Sequence, residues 1–202
     1  MNRPCPAGYF CPTATEKRPC TGNVFCPEGT VIAGPCPVGS FCDVTSRKTE
    51  CLLTQYCAEG SKKAIACPAR FYCPNPATSI ACNQGKFCPP GSLEELACSA
   101  GKYCATSDFE LDCGFGDLCV ENTTSIVDCK AGSFCPGAKE EILCSEGNFC
   151  PPRSGLENRC KKGFYCPNST VQVECPIGKY CPEGVMEPLN CTIGHFCTFV
   201  HH

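Results

Sequence analysis

The stretch CPAGYFCP at residues 5–12 begins a pattern that recurs along the whole chain. Two cysteines separated by five residues occur thirteen times, from Cys5 and Cys11 to Cys191 and Cys197. The spacers between these C-x5-C pairs alternate between eight and nine residues, so the period is 31 residues and holds two pairs. A fixed period of this length is typical of an array in which each repeat contacts mainly its neighbours. We therefore predict that residues 1–202 form a single tandem array of about 6.5 repeats.

Composition indicates that disulfide bonds, and not a large apolar core, hold the chain together. Leu, Ile, Val and Phe number 38 of 202 residues, which is too few for one sizeable core. The net charge of -3 is small, and 26 cysteines are typical of a disulfide scaffold rather than a disordered coil. Such a cysteine content survives as disulfides in an oxidising compartment, so we predict an extracellular or cell-surface location. The mild acidity argues against nucleic acid as a partner.

The third residue after the first cysteine of each pair is glycine in ten of the thirteen pairs. Glycine at a fixed position indicates a turn that needs a positive φ or a close backbone approach. The exceptions are Asn23, Thr54 and Arg70. Because Thr and Arg tolerate the left-handed region poorly, we expect the pairs containing Thr54 and Arg70 to bend differently.

An aromatic ring precedes the second cysteine of twelve pairs, and Leu118 stands there in the remaining one. We expect each ring to form a miniature core with its disulfide. An apolar residue two places before the next pair is predicted to cover the ring. The rings are Phe10, Phe25, Phe41, Tyr56, Tyr72, Phe87, Tyr103, Phe134, Phe149, Tyr165, Tyr180 and Phe196, and the apolar residues are Ile65, Ile80, Leu96, Leu111, Val127, Ile142, Val173 and Leu189.

These features predict small disulfide-rich tandem repeats of short β-strands and turns, with little or no helix. Because each repeat contacts mainly its neighbours, we expect an elongated rod or solenoid. The repeat is already in phase at Cys5 and stops within a period at Cys197, so we expect the chain to be a fragment of a longer one.

Connectivity of the cysteines is not fixed by sequence, and two patterns are open. If each pair closed on itself, the alternation of spacers would have no obvious cause. Joining the first cysteine of a repeat to the third and the second to the fourth gives the alternation a cause, because two pairs then form one block. We adopt that pattern as the hypothesis. It leaves Cys191 and Cys197 without partners in this chain. The predicted bonds are Cys5 with Cys20, Cys11 with Cys26, Cys36 with Cys51, Cys42 with Cys57, Cys67 with Cys82, Cys73 with Cys88, Cys98 with Cys113, Cys104 with Cys119, Cys129 with Cys144, Cys135 with Cys150, Cys160 with Cys175 and Cys166 with Cys181.

The stretches CPAGYFCP, CPIGKYCP and CKKGFYCP resemble the ephrin-receptor-like cysteine-rich repeat, which is related in style to the modules of tumour-necrosis-factor receptors. The resemblance covers essentially the whole chain through its cysteine spacing. It implies elongated, disulfide-stapled ectodomains of surface and secreted glycoproteins. The stretches CLLTQYC and CGFGDLC depart from the pattern.

Side chains that could carry chemistry do not form a known catalytic or metal-binding pattern. Zinc and cluster sites favour C-x2-C spacing, so we predict no metal and no cofactor. The three histidines, His195, His201 and His202, lie at the extreme end of the sequence and indicate no catalytic triad. The acidic runs Glu94–Glu95 and Lys139–Glu141 are interpreted as solvated faces. We therefore predict that the chain is not an enzyme.

Three sequons are present, at Asn122, Asn168 and Asn190. In an oxidising compartment an Asn-x-Ser/Thr triplet is an acceptor for an N-linked glycan. The first two lie wholly in spacers, and the third has Cys191 at its middle position. We predict all three as glycosylation sites.

The leading functional hypothesis is a structural protein that forms an extracellular fibre, coat or surface appendage by self-association or through lateral protein partners. The alternative is a receptor-like or adhesive ectodomain stalk that binds a ligand or displays a binding domain. The irregular stretch 108–119 is the candidate for a specific contact under that alternative. No run of apolar residues is long enough to cross a bilayer in this segment.

Overall fold

The computed structural model describes residues 3–192, 194 and 197. In this part of the chain the only helical element is a 3-10 turn at Pro136–Ala138, and no helix there could span a membrane. Twenty-four short strands form twelve two-stranded sheets, and each sheet joins strands that are neighbours in sequence. The prediction of small disulfide-rich repeats with little helix is confirmed. The predictions made for His195, Phe196, His201 and His202 concern residues outside the described part.

Four hairpins have strands of five and four residues, and eight have strands of two residues. The long hairpins are β1 Tyr9–Thr13 with β2 Glu16–Pro19, β5 Ser40–Val44 with β6 Arg47–Glu50, β9 Phe71–Asn75 with β10 Thr78–Ala81, and β21 Phe164–Asn168 with β22 Val171–Glu174. The short ones are β3 Val24–Phe25 with β4 Gly34–Pro35, β7 Gln55–Tyr56 with β8 Ile65–Ala66, β11 Lys86–Phe87 with β12 Leu96–Ala97, β13 Lys102–Tyr103 with β14 Leu111–Asp112, β15 Asp117–Leu118 with β16 Val127–Asp128, β17 Ser133–Phe134 with β18 Ile142–Leu143, β19 Asn148–Phe149 with β20 Asn158–Arg159, and β23 Lys179–Tyr180 with β24 Leu189–Asn190.

The chain divides into two compact units. The first unit comprises Met1–Leu96 and Thr106–Phe109, and the second comprises Ala97–Ala105 and Glu110–His202. Long and short hairpins occur in each unit, and the 31-residue period continues through both.

Each C-x5-C pair is closed on itself, so the predicted bonds between the first and third and between the second and fourth cysteines are wrong. Cys5 is bonded to Cys11 and not to Cys20, and Cys26 is bonded to Cys20 and not to Cys11. The two cysteines expected to lack partners, Cys191 and Cys197, are bonded to each other. The other bonds are Cys36 with Cys42, Cys51 with Cys57, Cys67 with Cys73, Cys82 with Cys88, Cys98 with Cys104, Cys113 with Cys119, Cys129 with Cys135, Cys144 with Cys150, Cys160 with Cys166 and Cys175 with Cys181.

A tight turn inside each pair explains why the pair can close. In the pair that begins at Cys5, Gly8 has a φ of 85°, and the next N–H, that of Tyr9, donates to Pro6 O at 3.1 Å. Such turns bring the paired Cα atoms to 5.8–6.6 Å, within the span that a disulfide bridges. Arg70 adopts the same conformation, with a φ of 70°, so the expectation that its pair bends differently is wrong. The expectation holds for Thr54, whose φ is not positive.

The alternation of spacers has its cause in the main chain and not in the disulfides. An eight-residue spacer forms a hairpin whose tip carbonyl accepts a hydrogen bond from an earlier pair, as Thr45 O accepts from Cys26 N at 2.7 Å. A nine-residue spacer instead has a residue of positive φ three places after the cysteine that precedes it, as at Gly29, with a φ of 83°. The N–H of Gly29 donates back to Cys5 O at 2.7 Å. The two lengths therefore make two different connections between pairs.

These hydrogen bonds between consecutive pairs, which we call the cystine ladder, recur every 31 residues. In both units the third residue after the first cysteine of one pair donates its N–H to the carbonyl of the second cysteine of the next pair. A residue of the following spacer donates its N–H back to the carbonyl of the first cysteine of the earlier pair. The first unit has Gly8 to Cys26, Gly39 to Cys57, Arg70 to Cys88, Gly29 to Cys5, Gly60 to Cys36 and Gly91 to Cys67. The second unit has Gly101 to Cys119, Gly132 to Cys150, Gly163 to Cys181, Asn122 to Cys98, Arg153 to Cys129 and Gly184 to Cys160, and all twelve distances are 2.7–2.9 Å.

The core consists of the cystines themselves. Eighteen half-cystines and Ala138 are the buried apolar residues of the described chain. Eleven of the rings before second cysteines lie in the described part of the chain; ten of them are half-buried and Tyr180 is exposed. The rings therefore flank the core and do not form it as expected. Each aliphatic partner with a defined register does lie opposite its predicted ring position, as Leu111 lies opposite Tyr103. The aliphatic residues at these positions remain 37–52% exposed.

Hairpin tips pack closely on the glycines of earlier pairs. In the second unit, a Cβ placed on Gly116 would lie 1.9 Å from the carbonyl oxygen of Arg153, and one on Gly147 would lie 2.5 Å from that of Gly184. Both glycines also have a positive φ, of 81° and 79°. Glycine is therefore required at these positions by space as well as by conformation.

A matched pair of variants separates these two requirements. Gly178→Ala, at a φ of 80° with no heavy atom within 4 Å of the new Cβ, should lower the free energy of unfolding by about 1–2 kcal/mol. Gly116→Ala should cost about 1–3 kcal/mol more, because the backbone of Arg153 must move. Urea denaturation with disulfides intact measures both, and equal losses would contradict the close packing.

Candidate functional site

Side-chain acceptors cover the main-chain N–H that follows the first cysteine of several pairs. Glu95 Oε2 accepts from Asn83 N at 3.2 Å, Glu110 Oε2 from Ser99 N at 3.2 Å, and Glu157 Oε1 from Ser145 N at 2.9 Å. Each of these glutamates lies three residues before the next cysteine. Because an unpaired N–H is costly when it loses water, these carboxylates hold the start of each turn.

Charge and hydrogen bonding stabilise the ionised form of two of these glutamates. The Lys102 ammonium, 2.7 Å from Glu110, lowers the pKa of that carboxyl, and Glu110 in turn raises the pKa of Lys102. The hydroxyl and N–H of Ser145 lower the pKa of Glu157. These groups act as hydrogen-bond acceptors within the scaffold, because each carboxylate is occupied by neighbouring donors.

The acidic runs interpreted as solvated faces are only partly so. Glu94, Lys139, Glu140 and Glu141 are exposed. Glu95 is half-buried and bonded to Asn83, and Glu141 lies 3.8 Å from the Lys130 ammonium. A carboxylate three residues before a cysteine was the sequence signal that could have identified this role.

Asp117 is a buried carboxylate of the second unit and forms an ion pair with Arg153. The Asp117 side chain is 5% exposed, and its Oδ1 lies 3.0 Å from Arg153 Nη2. Its other oxygen, Oδ2, accepts from Gly114 N at 3.0 Å. Arg153 also reaches Asp128 at 3.5 Å, and it holds a φ of 65° at a position where most corresponding spacers have glycine. The ion pair thus joins two turns 36 residues apart.

The irregular stretch 108–119 is divided between the two units. In the first unit, Asp108 lies 3.8 Å from the guanidinium of Arg70. In the second, Lys102, Asp112, Phe115 and Lys139 line an open cleft of about 560 Å³. Phe115 is 73% exposed, and its ring packs against Gly155. A cleft with an exposed ring and two ammonium groups can contact a ligand, and its lining holds no histidine base.

The predicted glycosylation sites have exposed asparagines. Asn168 ends strand β21 at a hairpin tip, and its Oδ1 accepts from Thr170 N at 2.9 Å and from Thr170 Oγ1 at 2.6 Å. Asn122 lies in a nine-residue spacer with a φ of 63°. Asn190 belongs to strand β24 and accepts a hydrogen bond from Lys179. Glycosylation at all three stays a prediction.

All 26 cysteines lie in disulfides, so none is a free thiol. Within residues 3–192, 194 and 197, no three His, Cys, Asp or Glu side chains come together as a metal site would require. The feature that recurs along the whole described chain is the cystine ladder, and it is not confined to one local site.

This geometry defines a class, the cysteine-rich tandem-repeat proteins built of small disulfide-closed hairpins. No family model matches the chain, and no curated protein matches it significantly.

Two variants test the role of the buried carboxylate. Asp117→Ala should lower the free energy of unfolding by about 1–3 kcal/mol, because Gly114 N loses its acceptor and Arg153 its closest partner. Asp128→Ala, which removes a 63% exposed carboxylate from the same arginine, should change it by less than about 0.5 kcal/mol. Urea denaturation measures the free energy of unfolding of both variants. Similar decreases would contradict a larger contribution from the buried carboxylate.

Proposed function

We propose that this chain is a non-enzymatic structural protein whose repeats form an extracellular fibre, coat or surface appendage. The observation that carries the proposal is the composition of the core, in which eighteen of the nineteen buried apolar residues are half-cystines. A core of this kind persists where disulfides are stable, which favours the extracellular space or the cell surface. Reduction would remove the main source of cohesion.

Uniformity of the ladder supports a structural role over a binding or catalytic one. The same main-chain connections recur in each unit with distances that differ by 0.2 Å at most. Closing each seven-residue loop removes roughly 2 kcal/mol of unfolded-state entropy in the chain-entropy model. Stability is therefore distributed along the chain, as an array under mechanical tension needs. The elongated rod stays a prediction, and small-angle scattering tests it.

The finer family likeness is also part of this proposal. The spacing of the cysteines, the turn glycine and the adjacent ring support a repeat of the ephrin-receptor-like style. The partners that we propose are further copies of the chain, lateral protein neighbours and N-linked glycans.

An adhesive or receptor-like stalk is the second candidate. The cleft lined by Lys102, Phe115 and Lys139 favours it, because it lies in the part of the array that departs most from the repeat. On a stalk, this cleft would be a local contact point.

Electron microscopy of native material distinguishes the two candidates. For a structural array we expect long regular filaments or a continuous coat, labelled along their length by an antibody to the repeats. For a stalk we expect isolated rods that end in a globular head. Diffuse intracellular labelling would contradict both.

The scaffold offers an internal control for glycosylation. Asn75 has the same place in its hairpin as Asn168, with Oδ1 accepting from Ala77 N at 3.0 Å, but Pro76 and Ala77 make no sequon. Enzymatic deglycosylation in heavy-oxygen water should label Asn168 and Asn122 and leave Asn75 unlabelled. Asn168→Gln should remove the mass of one glycan.

Moving the sequon provides the converse experiment. Pro76→Ser combined with Ala77→Thr should add one glycan at Asn75, because that tip is exposed like the tip at Asn168. If no label appears at Asn168 in secreted material, glycosylation at this hairpin tip is refuted.

A further inference from the structure

Four pairs of adjacent basic residues occur in the chain, and the structure treats them differently. They are Lys17–Arg18, Arg47–Lys48, Lys62–Lys63 and Lys161–Lys162. Adjacent basic residues are recognised by endoproteases with neighbouring acidic subsites, through charge complementarity. Cleavage also requires a segment that can leave its hydrogen bonds and enter the active site.

Two of the four pairs are held in strands. Lys17 and Arg18 belong to β2, where Lys17 lies 4.4 Å from the ring centre of Tyr9 and Arg18 is bonded to Glu16. Arg47 and Lys48 belong to β6, where Arg47 forms an ion pair with Asp43. Cleavage at either place would first have to break a long hairpin.

The pair Lys161–Lys162 lies inside a disulfide loop. Cys160 and Cys166 are bonded on either side of it. Cleavage there would therefore leave the two parts of the chain covalently joined.

Lys62 and Lys63 differ from the other three pairs. Both are exposed and lie in the bend between β7 and β8, whose strands have only two residues each. The main chain of the preceding residues is fixed, with Gly60 N bonded to Cys36 O and Ser61 O to Cys42 N. Within the described part of the chain, no ion pair involves either lysine.

The corrected connectivity gives cleavage in this bend a distinct consequence. The disulfides that flank it, Cys51 with Cys57 and Cys67 with Cys73, lie wholly on one side or the other. No disulfide of the chain spans the bond between Lys63 and Ala64, since each of the thirteen closes over six positions of sequence. One cut therefore separates residues 1–63 from 64–202 covalently. Main-chain hydrogen bonds still hold them, in the β7–β8 hairpin and from Cys57 N to Pro76 O at 2.9 Å and Cys67 N to Thr54 O at 3.1 Å.

We propose that the Lys62–Lys63 bend is an endoproteolytic processing site of this protein, cut after Lys63 by an endoprotease with acidic subsites for two consecutive lysines. The reaction is hydrolysis: water supplies the oxygen of the new Lys63 carboxylate, and Ala64 becomes a new amino terminus. Processing would divide the chain covalently without any reduction or exchange of disulfides.

Limited digestion of the full chain with trypsin, disulfides intact, tests accessibility. The first product resolved under denaturing, non-reducing conditions should begin at Lys63 or Ala64. Lys62→Ala combined with Lys63→Ala should slow the release of a fragment from the first unit by about tenfold or more, because the other trypsin sites of that unit lie in hydrogen-bonded strands or inside disulfide loops. Lys139 and Arg153 lie in spacers of the second unit, and cuts there give fragments of different mass. The matched variant Lys161→Ala with Lys162→Ala should leave the rate of release from the first unit unchanged, and cuts at that pair should separate only after reduction.

Amino-terminal mapping of native material tests the processing itself. A chain that begins at Ala64 is the expected result. Native protein without this terminus would overturn the proposal, as would a first tryptic cut elsewhere or fragments that separate only with reductant. None of these outcomes depends on whether the array forms fibres.

Discussion

Closure of each C-x5-C pair on itself is the constraint on which the rest of the structure depends. In most pairs a residue with positive φ, such as Gly8, reverses the chain within five residues and brings the two cysteines into bonding distance. The same turn leaves the carbonyl of the first cysteine and the N–H of the second cysteine free for neighbouring pairs. The closed pair thus orients its main-chain N–H and C=O groups toward neighbouring pairs, and those groups form the hydrogen bonds of the cystine ladder.

This arrangement replaces a hydrophobic core by a series of small covalent ones. Cystines fill the interior, while rings such as Tyr103 and their aliphatic partners such as Leu111 remain half-exposed on the hairpins. No disulfide crosses a spacer, so each disulfide stabilises only its own pair. Apart from the backbone itself, neighbouring pairs are held together by hydrogen bonds and by hairpin tips packed over glycines. Repeats can therefore be added without changing the existing disulfides, and one cleaved peptide bond in a spacer divides the chain covalently.

Several charged side chains support the main chain. Glu95, Glu110 and Glu157 accept N–H groups at the starts of turns, and Asp117 does so while pairing with Arg153. Arg153 stands where most equivalent spacers have glycine, and its ion pair with Asp117 accompanies its positive φ. This is how departures from the repeat are accommodated without loss of the ladder.

The sequence by itself determined the period, the class of fold and the presence of a turn in each pair, because cysteine spacing and turn glycines are local features. The ring and aliphatic positions were also local, since they face each other across one hairpin, as Tyr103 faces Leu111. Only the tertiary structure decided the connectivity, since the eight- and nine-residue spacers are compatible with both pairings. Their difference arises from hydrogen bonds between separate pairs, such as Gly29 N to Cys5 O and Cys26 N to Thr45 O, and those depend on how pairs stack in space.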